Sequence, residues 1–278
     1  MNRKQLKAGL IGHPVAKSLS GDVFAAFAAL TGEEISYEPV DCPPAELALT
    51  LPALRARGWA GFNVTIPHKS AVCGLLALAD PAAKACGSVN CVRFGRAGLE
   101  GLNTDARALL AALEEAGFSP AGKSAVVFGS GGSAASSGWA LGRSSAAAVT
   151  FHARNAAAAQ ALCSRLGETF PKTVFTAAPF EKPAGAPALV VNATPLGMYE
   201  PGRPPYEPAA GALCADLAYG RDGTEFSRAA EAAGAAVVDG LSLLVWQAAL
   251  SLKYWTGLPG GDIVKFKQEA LALLKKGS

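Results

Sequence analysis

Lys69 closes the segment Gly61-Phe62-Asn63-Val64-Thr65-Ile66-Pro67-His68-Lys69, which reads as the end of a strand running into a helix at Pro67. Asn63 and Thr65 are two apart, so both project from one face of that strand end. On this reading Lys69 lies in the first helical turn, where the helix dipole disfavours a cation. A lysine held there and partly desolvated can serve as a general acid and base. Most lysines are solvated surface groups, so this one needs supporting polar neighbours, and three clusters offer them. Gly87-Ser88-Val89-Asn90-Cys91 puts Asn90 in an otherwise apolar strand. Gly101-Leu102-Asn103-Thr104-Asp105 precedes a helix expected over 106–116, so Asn103, Thr104 or Asp105 is either its N-cap or a further chemical group. Ser18-Leu19-Ser20, after Gly12-His13-Pro14, offers two hydroxyls that either cap the next helix or hold a carboxylate.

A different chemistry is written at Gly129-Ser130-Gly131-Gly132-Ser133-Ala134, which follows a strand and opens a helix in the pattern G-x-G-x-x-A. Glycines there permit a tight turn and close backbone approach, so a pyrophosphate can sit on the helix N-terminus. An NAD site usually carries an acidic residue about 20 residues further on, to bond the ribose 2′-hydroxyl. No acidic residue occurs between Glu115 and Glu168, and the next strand ends in His152-Ala153-Arg154-Asn155. Arg154 can pair with a 2′-phosphate through a charge-assisted fork. NADP(H) is therefore expected over NAD(H).

The elements that must position these residues alternate. Strands are expected over 6–12, 35–40 and 59–64, with helices over 20–30 and 43–57 between them. A second series starts near residue 123. Its strands fall at 124–128, 147–152, 188–191, 213–217 and 235–238, and its helices at 134–141, 155–166 and 225–233. Two helices, 241–255 and 262–275, end the chain around the breaker Gly257-Leu258-Pro259-Gly260-Gly261. Such alternation implies an α/β protein with a largely parallel sheet. Pro201-Gly202-Arg203-Pro204-Pro205 reads as a surface loop.

Composition narrows the class. The 278 residues suit one large or two modest domains, and with 50% hydrophobic and 17% charged residues the chain can bury a full core. The net charge of +3 is spread, with no basic run longer than Lys275-Lys276, so nucleic acid is not an expected partner. No apolar run reaches the ~18–20 residues of a membrane span. The basic start, Met1 to Lys7, lacks the apolar stretch of a signal peptide. The six cysteines never form C-x-x-C, and the three histidines have no ligand spacing, so neither disulfides nor a metal centre are expected. The protein is expected in the cytoplasm.

Taken in order, these segments resemble the shikimate dehydrogenase family from about Leu10 to Gly257. The likeness runs through Ser18-Leu19-Ser20, Asn63 to Lys69, Gly87 to Asn90, Asn103-Thr104-Asp105 and the glycine turn. It continues through Asn192-Ala193-Thr194-Pro195-Leu196-Gly197-Met198, Asp216-Leu217-Ala218-Tyr219, and Asp239-Gly240-Leu241 leading to Gln247. The resemblance implies reversible NADPH-dependent reduction of 3-dehydroshikimate to shikimate. Ser18 and Ser20 would hold the substrate carboxylate. Asn63, Thr65, Asn90, Asp105 and Gln247 would hold the ring hydroxyls and carbonyl, with Tyr219 closing the pocket. Lys69 would be the acid/base group, oriented by Asp105. Cofactor contacts are implied at Gly129, Ser130, Gly131, Gly132, Ser133, Ala134, Arg154, Asn155, Thr194, Leu217 and Gly240. No metal is required.

The same resemblance implies a substrate domain of 1–104 plus 240–278, with a Rossmann-like NADP-binding domain, 105–239, inserted between, in a monomer or homodimer. Gly21, Phe24, Ala153, Asn155, Ala106 and Ser242-Leu243 depart from the family's usual pattern. A sister enzyme that also oxidises quinate, often with NAD, is the nearest rival. A non-catalytic dinucleotide sensor would be expected to lack Lys69 or Asp105.

Overall fold

The computed structural model describes residues 5–15, 18–220, 222–257 and 263–276. Residues 1–4 of the basic N-terminus, 258–261 of the breaker, Asp262, and the side chains of Lys275 and Lys276 lie outside the described residues. The chain divides into two compact units, Met1–Thr104 with Val245–Ser278, and Asp105–Leu244.

The first unit is built on six strands: β1 (Leu6–Gly12), β2 (Ile35–Asp41), β3 (Gly61–Val64), β4 (Leu76–Ala79), β5 (Cys91–Phe94) and β6 (Leu99–Leu102). They lie in the order β2-β1-β3-β5-β6-β4. β1 pairs in parallel with β2 and β3, whereas β5 is antiparallel to both β3 and β6. This sheet is therefore mixed, with three of its five pairings parallel. The cause is local: Gly95 N–H donates to the Gly98 carbonyl in a turn too short for anything but an antiparallel return. The core gathers Ile11, Leu51, Leu54, Trp59, Phe62, Val64, Val89 and Val92.

Around this sheet run α1 (Ser20–Thr31), α2 (Leu47–Ala56), α3 (Pro81–Cys86) and, from the C-terminal part, α8 (Gly240–Thr256) and α9 (Ile263–Lys276). The Phe27 and Phe266 rings stack at 4.6 Å, joining α1 to α9. The helix expected over 43–57 is split into a 3-10 turn, Pro44–Glu46, and α2. No α-helix starts at Pro67 either. Residues 66–70 form turns, followed by the 3-10 helix Ala71–Leu75, so the helix-dipole argument for Lys69 lapses. Asn90 precedes β5 and is not inside it.

The second unit holds β7 (Ser124–Phe128), β8 (Ala148–Ala153), β9 (Val174–Pro179), β10 (Leu189–Asn192), β11 (Leu213–Asp216) and β12 (Ala236–Val238). All pairings are parallel, in the order β12-β11-β10-β7-β8-β9. Numbered from β7, this is the 3-2-1-4-5-6 arrangement of doubly wound dinucleotide-binding sheets. Its helices are α4 (Thr104–Glu115), α5 (Gly132–Arg143), α6 (Ala156–Thr169) and α7 (Glu225–Ala232). β7 and β10 are the two central strands, each paired on both edges, and both are buried almost throughout. The unit boundary falls at the first turn of α4 and inside α8.

Candidate active site

In the first unit, three strand ends and one helix bring polar side chains into a single buried network. Asn63, at 3% exposure, uses its amide fully: Nδ2 donates to the Asn90 carbonyl at 3.0 Å and to Ser251 Oγ at 2.8 Å, and Oδ1 accepts from the Tyr37 hydroxyl at 3.0 Å. Asn90 Nδ2 donates to Thr104 Oγ1 at 2.8 Å, and Asn90 Oδ1 accepts the Thr104 backbone N–H at 2.7 Å. Gln247 Oε1 accepts from both Asn90 and Thr104 at 3.4 Å. Thus Asn63, Asn90 and Gln247 are brought together. Asn63 is committed to protein partners, so it braces the network more than it faces outward.

Thr104, which the sequence leaves as a cap or a chemical group, belongs to this network, as do Tyr37 and Ser251, which the sequence reading does not assign to the site. The partial signal is Ser251 one helical turn after Gln247 on α8, with its hydroxyl donating to the Gln247 carbonyl at 2.8 Å. Tyr37 is oriented by Phe24, whose ring stacks on it at 4.0 Å and 10°. Phe24 thus serves as an aromatic support for Tyr37.

Lys69 stands on a pinned turn. Thr65 N–H donates to the Ile11 carbonyl, His13 N–H to Ile66, His68 N–H to Thr65 and Val89 N–H to Lys69, at 2.8–2.9 Å. The His68 side chain, 1% exposed, donates from Nε2 to the Cys42 carbonyl at 2.6 Å. Gly12 is required alongside, because a Cβ there would collide with Thr65 Cγ2. Lys69 itself is half-buried. Ser18 Oγ donates to Ser20 Oγ at 3.0 Å and accepts the Ser20 N–H at 3.2 Å. The N-cap position of α1 is Leu19, and no side chain caps it there, so the two hydroxyls are brought together as a pair. Asp105 is half-buried in the first turn of α4, where the dipole favours a carboxylate.

In the second unit, the glycine turn lies at the C-terminal end of β7, beside the end of β10. Gly129 has φ +118°, and a Cβ on it would lie 2.8 Å from the Ala193 carbonyl oxygen, so only glycine fits. Gly131 is the N-cap of α5 and Gly132 its first residue, while a Cβ at Gly131 would meet nothing. That open space before a helix N-terminus, at the strand-order reversal, has the geometry and the dipole that suit an anionic group. Ala134 is buried, and Gly138, with Phe151 and Leu166 closing on it, lets α5 pack tightly. Ser133 receives on its carbonyl the hydroxyl of Ser137. Ser130, beside them, is half-buried.

Several expected cofactor contacts already have protein partners. Asn155 is the N-cap of α6, its side chain accepting Ala158 N–H at 3.0 Å. Thr194 donates both its N–H and its hydroxyl to Asn192 Oδ1. Leu217 N–H donates to the Asn192 carbonyl, and Gly240 is closed off by the Ala218 carbonyl, which occupies the space a Cβ would need. These four shape the site's frame. Tyr219, half-buried, follows β11.

Asp216 organises that frame, a role the sequence reading does not assign to it. Its carboxylate accepts from Asn192 Nδ2 at 2.8 Å, Ala218 N–H at 3.0 Å and the Thr224 hydroxyl, tying β10, the Tyr219 loop and the start of α7 together. Burial pushes its carboxyl up to about 6 against the pull of those hydrogen bonds. Arg154 is 59% exposed and pairs with Glu200 at 3.1 Å. None of the six cysteines, all among the described residues, is in a disulfide. Among the described residues no cluster of His, Cys, Asp or Glu could hold a metal ion, and no helix is long and apolar enough to cross a membrane.

Residues 10–92 match the shikimate dehydrogenase substrate binding domain. Over 259 residues, 91% of this chain and 92% of the other, the sequence is 39% identical to shikimate dehydrogenase (NADP(+)) of Anaeromyxobacter dehalogenans strain 2CP-1. The chain belongs to the shikimate dehydrogenase family. A shikimate 5-dehydrogenase of Thermus thermophilus, solved in complex with NADP(H) and shikimate, is similar with a TM-score of 0.81 and 34% identity, covering 96% of this chain and 99% of that one. The ligand-free 5-ketofructose reductase of Gluconobacter sp. strain CHM43 is similar with a TM-score of 0.85 and 28% identity, covering 97% and 99%. In the present chain Ser242, where the family commonly has a different pair with the next residue, gives its N–H to Asp239 Oδ1 at 2.8 Å, at the start of α8.

Proposed function

We propose that this protein catalyses the reversible NADPH-dependent reduction of 3-dehydroshikimate to shikimate, in chorismate and aromatic amino acid biosynthesis. The observation that carries this is the 39% identity over 91% of the chain to an NADP(+)-dependent shikimate dehydrogenase. The substrate domain comprises 1–104 plus 240–278 and the NADP domain 105–239, a reading supported by the two compact units Met1–Thr104 with Val245–Ser278 and Asp105–Leu244. Ser18 and Ser20, a bonded hydroxyl pair, hold the substrate carboxylate. Asn90, Gln247, Thr65 and Asp105 hold ring oxygens, braced by Asn63, and Tyr219 closes the pocket. Gly129 to Ala134 receive the pyrophosphate on the α5 N-terminus, and Arg154 meets the 2′-phosphate. NADPH, when bound, supplies the hydride. Lys69 donates a proton to the substrate's carbonyl oxygen as that oxygen becomes a hydroxyl, and takes it back in the reverse direction. Asp105 orients Lys69 and the reacting hydroxyl.

None of the six cysteines is in a disulfide, which suits a reducing compartment and supports a cytoplasmic location; the protein acts as a monomer or homodimer. Initial rates with shikimate and quinate, each with NADP+ and NAD+, test the reading. Turnover concentrated on shikimate with NADP+ is expected. Absence of turnover from protein that still binds NADPH would overturn it. Broader use of quinate or NAD is a second reading, favoured by one observation: the Arg154 guanidinium already carries a carboxylate.

A further inference from the structure

The gap between Glu115 and Glu168 excludes an acidic residue near Arg154 along the chain, yet the fold delivers one from 46 residues away. Glu200 Oε2 lies 3.1 Å from Arg154 Nη2. Glu200 is fixed by its backbone: its N–H donates to the Pro195 carbonyl at 3.1 Å, and its carbonyl accepts Gly197 N–H at 2.7 Å. This turn is tied to Asn192 at the end of β10 through Thr194. The carboxylate is thus carried on a built support. The Arg154 guanidinium also lies over the Phe180 ring, 5.7 Å from its centroid. Together with Ala153, Gln160, Pro179 and Phe180, Arg154 lines a cavity of about 520 Å³.

We infer that Glu200 is a cofactor-specificity residue, which weakens Arg154's preference for a 2′-phosphate and eases acceptance of a 2′-hydroxyl. This rests on the assignment of Arg154 to the 2′-phosphate. A phosphate arriving at Arg154 meets a guanidinium whose charge is half-committed, and it must share the fork with a carboxylate or displace it. Two anions on one arginine repel each other. A ribose hydroxyl, in contrast, can donate to that same carboxylate, which is the ordinary way a dinucleotide site accepts NAD. The pair is half-exposed, so the effect is modest and screened by salt.

The test measures the affinity of the full-length protein for NADP+, NAD+ and the fragment 2′,5′-ADP at low and high salt, in wild type, Glu200→Gln and Arg154→Gln. Removing the charge but keeping the shape in Glu200→Gln is expected to tighten NADP+ and 2′,5′-ADP by about three- to tenfold, less so at high salt. NAD+ is expected to hold level or weaken, so the ratio of NADP+ to NAD+ in kcat/KM rises. An unchanged or lower ratio in Glu200→Gln would overturn the inference while Arg154→Gln still lost its NADP+ preference. If Arg154→Gln left NADP+ and 2′,5′-ADP binding intact, the assignment of Arg154 itself would fall, and the role of Glu200 with it.

Discussion

Thr104 and Asn90 clasp each other twice: the Asn90 amide nitrogen donates to the Thr104 hydroxyl at 2.8 Å, and the Thr104 backbone N–H donates to the Asn90 oxygen at 2.7 Å. Both residues are buried, at 0% and 2% exposure. The clasp fixes the entry to α4, on which Asp105 is the next residue. Asn90→Ala would leave the Thr104 N–H buried without its acceptor, at a cost of about 1–3 kcal/mol. Urea unfolding is expected to show that loss as a lower midpoint at unchanged slope.

Lys69→Met should separate chemistry from binding. Loss of a positioned acid/base group typically costs about 10²–10⁴ in rate. A fall in kcat of that order is expected, with NADPH affinity, read by fluorescence titration, close to wild type. Equal loss of both would instead mean that the substitution had disturbed the fold.

Asp216 makes stability depend on pH in an unusual direction for an aspartate. Burial holds its carboxyl at about 6, from an ordinary value of 3.8, so the folded chain keeps a proton that the unfolded chain has already released. Stability contributed by this group therefore falls as pH rises from about 4 to 6, by at most about 1.4 kcal/mol per pH unit, and is level above. Subtracting the Tm-against-pH curve of Asp216→Asn from that of wild type should expose this slope. Parallel curves would contradict it.

Gly129→Ala places a Cβ 2.8 Å from the Ala193 carbonyl at φ +118°. The strain of such a backbone is about 1–3 kcal/mol. The expected result is a lower Tm together with a raised KM for NADP+, since relief requires the turn to open away from β10.

The second unit is the more legible half. Ser124–Phe128 is read residue for residue because β7 is apolar after Ser124 and bounded by Lys123 and the glycine turn. β9 escapes a reading by pattern because it is an edge strand whose residues are all exposed or half-buried, and Val174 is 60% exposed. β4 is hidden likewise, with Leu78 facing outward. At the site, Lys69 and Asn90 carry local signals, whereas Gln247 is reached only through the family resemblance. Ser251 carries only its spacing from Gln247, and Tyr37 and Glu200 carry no local signal, since their partners lie 26 and 46 residues away and only the fold joins them. The helix expected at Pro67 fails because proline suits a helix start and a turn equally well.

The turn beneath Lys69 bears on how the rate should respond to temperature. With His68 anchored to Cys42 and the backbone of residues 65–69 tied to β1 and to Val89, the lysine's stem springs from a fixed base. Most of the ordering entropy of aligning its ammonium was therefore spent during folding, and only side-chain torsions remain to be frozen on the way to reaction. Loosening that base, as His68→Ala would, should appear as a more negative activation entropy for turnover, with the chemistry at Lys69 itself untouched.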